Sequence, residues 1–98
     1  NAREKLRQLV DEHTPQVVIL ECSAITDVEY TALRGLLEAE EKLAKAGVQL
    51  WLVGLNPQPF KKIRSSQLGQ ILGNERMHPN LRVAVSSYME QQDGSHKN

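Results

Sequence analysis

Chemistry has few places to sit in this sequence: three histidines, one cysteine, and the hydroxyl and carboxyl side chains of Ser23, Thr26, Asp27 and Glu29. His13, His78 and His96 lie in unrelated segments without ligand spacing, and Cys22 falls inside an apolar run, so no metal centre is expected. No Gly-x-Ser-x-Gly elbow surrounds Ser23 and no histidine is placed beside it, which argues against nucleophilic catalysis. Asp27 and Glu29 have the types of an acid/base pair, but loop carboxylates near a helix start are also what a helix dipole favours, and that reading is preferred. Lys61, Lys62 and Arg64 read first as a solvated helix face and second as a docking or headgroup contact. No catalytic residue, metal ligand or cofactor is therefore assigned, and no enzyme activity is expected.

Two further features could hold a ligand or a partner. Thr31 and Asn56 are each placed to cap a helix, and a parallel crossover would bring those two helix N-termini together near Gly54. Backbone N–H groups at such a pair make an anion or nucleotide cradle; the alternative is that each cap serves its own helix. Tyr30 is expected as an exposed contact and Trp51 as core.

The elements that position these residues read clearly. Val17 to Cys22 and Val48 to Val53 are short, continuous apolar runs, the pattern of strands buried on both faces of a parallel sheet. Between them a helix is predicted from Thr31 to Ala46, with Ala32, Leu36, Ala39, Leu43 and Ala46 as its apolar seam, widened by Leu33, Leu37 and Ala44. Glu38 with Lys42 and Glu41 with Lys45 are spaced for ion pairs on the outer face, and Gly47 is a left-handed stop. A parallel pair so joined requires a right-handed crossover, and such domains carry function in the loops at the carboxyl ends of the strands. Here that loop is Ser23 to Tyr30.

Flanking elements are predicted on both sides. Ala2, Leu6, Leu9, Val10 and His13 share a face of a first helix that Pro15 stops. Asn56 and Pro57 open a third helix carrying Phe60 and Ile63 inward, and Leu68 to Gly73 adds a helical turn. Glu75 to His78 holds a short edge strand. Asn80 caps a last helix with Leu81, Ala84, Val85 and Tyr88 inward, and Asp93 to Asn98 is a polar tail without assigned structure. Residues 1–92 thus form one domain. Two firm strands make a small sheet for so many helices, so the natural sequence is expected to begin upstream, with one or more strands before Asn1.

Composition limits the rest. Ninety-eight residues allow one modest core, and twelve basic against twelve acidic side chains leave no net field to attract nucleic acid or an anionic membrane. One cysteine excludes an internal disulfide and suits a reducing compartment. No stretch reaches the 18 or so apolar residues of a membrane span, and the N-terminus lacks a signal-peptide pattern. A soluble, cytosolic chain is expected.

The segments Val17-Val18-Ile19-Leu20-Glu21-Cys22-Ser23-Ala24-Ile25-Thr26-Asp27, Tyr30-Thr31-Ala32-Leu33 and Gly47-Val48-Gln49-Leu50-Trp51-Leu52-Val53-Gly54-Leu55-Asn56-Pro57 together resemble the STAS domain. That family is shared by SulP sulfate transporters and anti-sigma factor antagonists. The Gly54-Leu55-Asn56-Pro57 turn and Glu75-Arg76-Met77 before the last helix bring the likeness nearer to the cytoplasmic C-terminal domain of SulP transporters. The resemblance implies an α/β fold with a parallel β-α-β core packed by about four helices, two strands before the first helix, and a regulatory role through Asp27, Glu29, Tyr30 and Thr31. It also implies the parent transporter's transmembrane domain as a partner, with a cytosolic regulatory protein, a second copy, and a nucleotide or anion as further candidates. In the antagonist branch the loop reads Asp-Ser-Ser/Thr-Gly and its first serine is phosphorylated. Aligned on Leu33, this chain has Glu29-Tyr30-Thr31-Ala32, so Tyr30 takes the acceptor position and the serine phosphoswitch does not carry over. A free-standing antagonist and a small flavodoxin-like nucleotide-binding domain are the alternative functions.

Overall fold

The apolar runs form a parallel sheet. In a computed structural model the described residues are 17–97, with side chains described from 17 to 92; the predicted first helix lies outside them. Strand β1 (Val17–Glu21) leads through a loop to helix α1 (Tyr30–Lys45), and β2 (Gln49–Val53) follows. Helices α2 (Pro57–Arg64) and α3 (Gln67–Leu72), a short 3-10 turn (Asn74–Arg76), β3 (Met77–His78) and α4 (Leu81–Lys97) complete the order. The three described strands are parallel in the order β1-β2-β3, with Val17 opposite Gln49, Glu21 opposite Val53, and Val53 opposite His78. The short strand expected at Glu75 to His78 is therefore present as Met77–His78.

Alternation along the strands splits the core in two. Leu50 and Leu52, with Val18 and Cys22, face α1, α2 and α3, where Ile63, Leu68 and Leu72 are buried. Trp51 and Val53 face the other way, with Val17 and Ile19, and are covered by Ala84 and Tyr88 of α4. β2 is central and buried along Leu50 to Val53, as its unbroken apolar run demands. β1 differs from expectation: Leu20 and Glu21 are exposed, since β1 pairs with β2 alone among the described residues.

Helix ends show which sequence signals prevailed. At the end of α1 the Gly47 N–H donates to Ala44 O and the Val48 N–H to Leu43 O, both at 2.9 Å. Gly47 has φ +77°, so this is the left-handed stop predicted there, closed as a Schellman motif. Asn80 Oδ1 accepts from the Val83 N–H at 2.9 Å and caps α4 as expected. Thr31 does not cap α1. The helix starts at Tyr30 with the extended backbone of Glu29 at its cap position, and Thr31 lies in the first turn. Ser66, not foreseen, caps α3 by accepting from the Gly69 N–H.

The buried face of α1 is rotated from the predicted seam. Leu33, Leu36, Leu37 and Leu43 pack on the core, while Ala32, Ala44 and Ala46 are exposed. Leucines bury more apolar area than alanines, so the helix turns to seat them. That rotation carries Glu40 inside, 5% exposed, where its Oε1 lies 3.7 Å from Arg76 Nη1. A buried carboxylate requires such a partner. The two surface pairs predicted on α1 are not closed among the described residues. On α4, Ala84 and Tyr88 point inward but Leu81 and Val85 are exposed. The helix also continues through 93–97, because no proline interrupts a ladder that the packed turns have already nucleated.

Two helical glycines give opposite expectations. A Cβ on Gly69 would stand 2.6 Å from Arg64 Cα, so Gly69→Ala should force α2 and α3 apart and cost about 1–3 kcal/mol. A Cβ on Gly35 meets nothing within 4 Å, so Gly35→Ala should stabilise by about 0.5–1 kcal/mol. Urea unfolding of both variants checks this; shifts of the same sign would contradict the close α2–α3 crossing.

Candidate functional site

A loop that leaves a buried strand must satisfy the polar groups of its own backbone, and this one does so by borrowing side chains from the next crossover. β1 ends as the Cys22 N–H donates to Val53 O at 2.8 Å, and the Ile25 N–H turns back to Cys22 O at 3.0 Å. The carbonyls of Ser23 and Ile25 then receive Asn56 Nδ2, at 3.0 and 2.7 Å. Asn56 occupies the cap position of α2 with φ −69° and ψ 160°, yet its side chain makes no cap bond to that helix. The expected cap is instead a staple between two loops at the carboxyl edge of the sheet. Pro57 at the first helical position, which needs no N–H partner, leaves the side chain free for this.

A second tie lies further along the loop. Asp27 Oδ1 accepts from the Val28 N–H at 2.9 Å and from Lys62 Nζ at 2.6 Å, and Lys62 also reaches Val28 O at 3.5 Å. These bonds seat Val28 as a buried plug in the main core. The hydrogen bond from Lys62, aided by the Val28 amide, lowers the Asp27 pKa below its ordinary value. Lys62 therefore belongs to the loop and not to the solvated patch read from sequence, while Arg64 lies over the Phe60 ring at 6.0 Å. With Asp27 bound to α2, the acid/base reading of Asp27 and Glu29 has no opposed pair to stand on.

The space at Gly54, where the sequence places a cradle, is filled from below. A Cβ there would meet Glu21 Oε1 at 3.2 Å and Ser23 Cβ at 3.4 Å, and Gly54 takes φ +73°, so the position suits glycine on both counts. The Ser23 hydroxyl, and after it the Ser23 amide that donates to Glu21 Oε1, lower the Glu21 pKa. A fixed carboxylate so placed would oppose an anion beside Gly54. Burial pushes the Cys22 thiol up, and the neighbouring Glu21 charge adds to the effect, so the thiolate needed for reactivity is disfavoured.

Beyond the ties the edge turns outward. Tyr30, the first residue of α1, is 73% exposed, and Glu29 and Thr31 beside it are exposed. The structure thus brings Asp27, Glu29, Tyr30, Thr31, Gly54 and Asn56 to one edge. Sequence reading missed Lys62 as a loop partner and missed Glu40 with Arg76. On the opposite face, Trp51 is buried against His78, with ring centroids 4.9 Å apart, and His78 Nε2 is buried without a hydrogen-bond partner.

Two substitutions test these ties. Aspartate caps helices as well as asparagine does, so Asn56→Asp would be neutral for a cap; for a staple it turns a donor into a carboxylate facing two carbonyls and should cost about 1–3 kcal/mol. Equal denaturant midpoints would restore the cap. Because Asp27 has a lowered folded pKa, its tie is present above the ordinary carboxylate range and is lost as pH falls through that lowered value. The Val28 amide resonance should report this midpoint by NMR, and Lys62→Met should raise it; an unchanged midpoint would remove Lys62 as the cause.

The family model described as the STAS domain matches residues 1–84. The chain is 28% identical over 92 residues to high affinity sulfate transporter 2 of Stylosanthes hamata, and 27% identical over 92 residues to high affinity sulfate transporter 1 of the same organism. Each alignment covers 85% of this chain and 14% of the relative, so the chain spans a small part of the transporters it matches. Among the described residues no helix is long and apolar enough to cross a membrane. The match over residues 1–84, with which the parallel β-α-β core is consistent, shows that the chain belongs to the STAS domain family.

Proposed function

We propose that this STAS domain is a non-enzymatic regulatory and interaction module of a SulP-type anion transporter, working on the cytosolic side of the membrane. The observation that carries the reading is the pairing of a tied loop with an exposed aromatic: Tyr30 stands 73% exposed directly after a segment held by Asn56 and Lys62. An aromatic side chain on a pre-ordered backbone loses little entropy on binding and is the type that most often carries contact energy. The likeness to two proteins named as sulfate transporters supports a transporter as the parent, whose transmembrane domain is the first partner to consider. A domain of this kind would act by supporting assembly, stability or gating through the Asp27 to Ala32 segment, the start of α1 and the Gly54 to Pro57 turn.

Tyr30→Ala in the full-length transporter should alter anion uptake or assembly while the isolated domain keeps its melting temperature. Lys61→Glu, on the exposed face of α2 outside the loop ties, should matter less. Unchanged uptake and assembly in Tyr30→Ala, with losses only in Lys61→Glu, would move the working surface to α2.

A further inference from the structure

Beside Tyr30 the surface sinks into a groove between α1 and the start of α3. Leu33, Leu37 and Leu68 lie along it, Tyr30 and Arg34 stand at its α1 side, and Gln67 closes the other. Its volume is about 140 Å³. Sites for whole small-molecule ligands run to about 300–1,000 Å³, whereas a cavity of about 150 Å³ holds a group the size of a benzene ring. The groove is thus matched to a single apolar side chain. A partner that inserts one such side chain must bring the rest of its binding surface from a polypeptide.

Charge narrows the partner further. Lys62 is committed to Asp27 and Arg76 to Glu40. Arg34, by contrast, has no carboxylate within ion-pair distance among the described residues and is exposed at the groove. A guanidinium beside an apolar slot favours a carboxylate on the same incoming segment, since it can take both oxygens at once. We infer that this groove docks a segment of a partner protein in which one aliphatic or aromatic side chain, seated over Leu33, Leu37 and Leu68, is flanked by an aspartate or glutamate that pairs with Arg34. The inference rests on the reading of this edge as a contact surface and names what that surface selects.

A random peptide library displayed on phage, panned against the chain, tests it. The expected result is an enriched motif of one large apolar residue with an acidic neighbour, whose synthetic peptide binds with an affinity that falls about tenfold or more on Arg34→Glu and on Tyr30→Ala. Lys42→Glu, at an exposed position of α1 that helical spacing turns away from the stripe of Tyr30, Arg34 and Leu37, should leave binding unchanged, and circular dichroism should show all three variants folded. No enriched motif, or a motif whose binding ignores Arg34→Glu, overturns the inference. So does saturable binding of octanoate lost on Arg34→Glu without any selected peptide, since the site would then take a small amphiphile. These failures differ from failure of the contact-surface reading itself, which would appear as normal uptake and assembly in the full-length Tyr30→Ala transporter.

Discussion

One amide group holds the carboxyl edge together. Asn56 Nδ2 donates to Ser23 O and Ile25 O, more than thirty residues away in the chain, and joins the loop after β1 to the turn after β2. Backbone carbonyls at such an edge must find donors in water or in the protein. Supplying them from a neighbouring crossover fixes the loop without adding a secondary-structure element. The other features follow from that fixation: the Asp27 and Lys62 tie falls into reach, Val28 is held in the core, and α1 begins at Tyr30 instead of one residue later.

The proposed contact residues and the core meet along Leu33, Leu37 and Leu68 and otherwise lie at different levels of the domain. The main core, built from Leu50, Leu52, Ile63, Leu68 and Leu72, lies below the edge and is closed by apolar contact. The Glu40 and Arg76 pair links α1 to the segment before β3, well along the helix from Tyr30. Above the core, Tyr30 and Arg34 project from the first turns of α1 and are exposed. Side chains of this kind can change with the partner at little cost to folding, because substitutions on exposed helix positions are usually near neutral. A contact domain gains from having its binding residues there and its ties beneath them.

Much of the fold was legible because its signals are local. Two unbroken apolar runs, a leucine-rich helix and a glycine stop specify the parallel crossover, and Gly47, Pro57 and Asn80 sit where capping rules place them. What escaped was non-local. Asn56 beside Pro57 reads as a cap, and only the position of Ser23 and Ile25 in space makes it a staple. Lys62 reads as one of three neighbouring cations until Asp27 is brought to it. The seam of α1 was read from alanines and leucines together, whereas burial follows the leucines and takes Glu40 inside toward an arginine 36 positions away. The exposed stretch of α4 at Leu81 and Val85 shares its periodicity with a buried face, so spacing alone did not show which residues turn outward.

Contact through this edge requires the loop to be held before any partner arrives. Backbone ¹⁵N relaxation of the free chain across Ser23 to Glu29 measures this directly. A stapled loop predicts order parameters close to the value of about 0.85 typical of rigid backbone, matching α1. Values below about 0.6 across the same residues would show a flexible loop, and would contradict the claim that this edge is a pre-ordered contact surface.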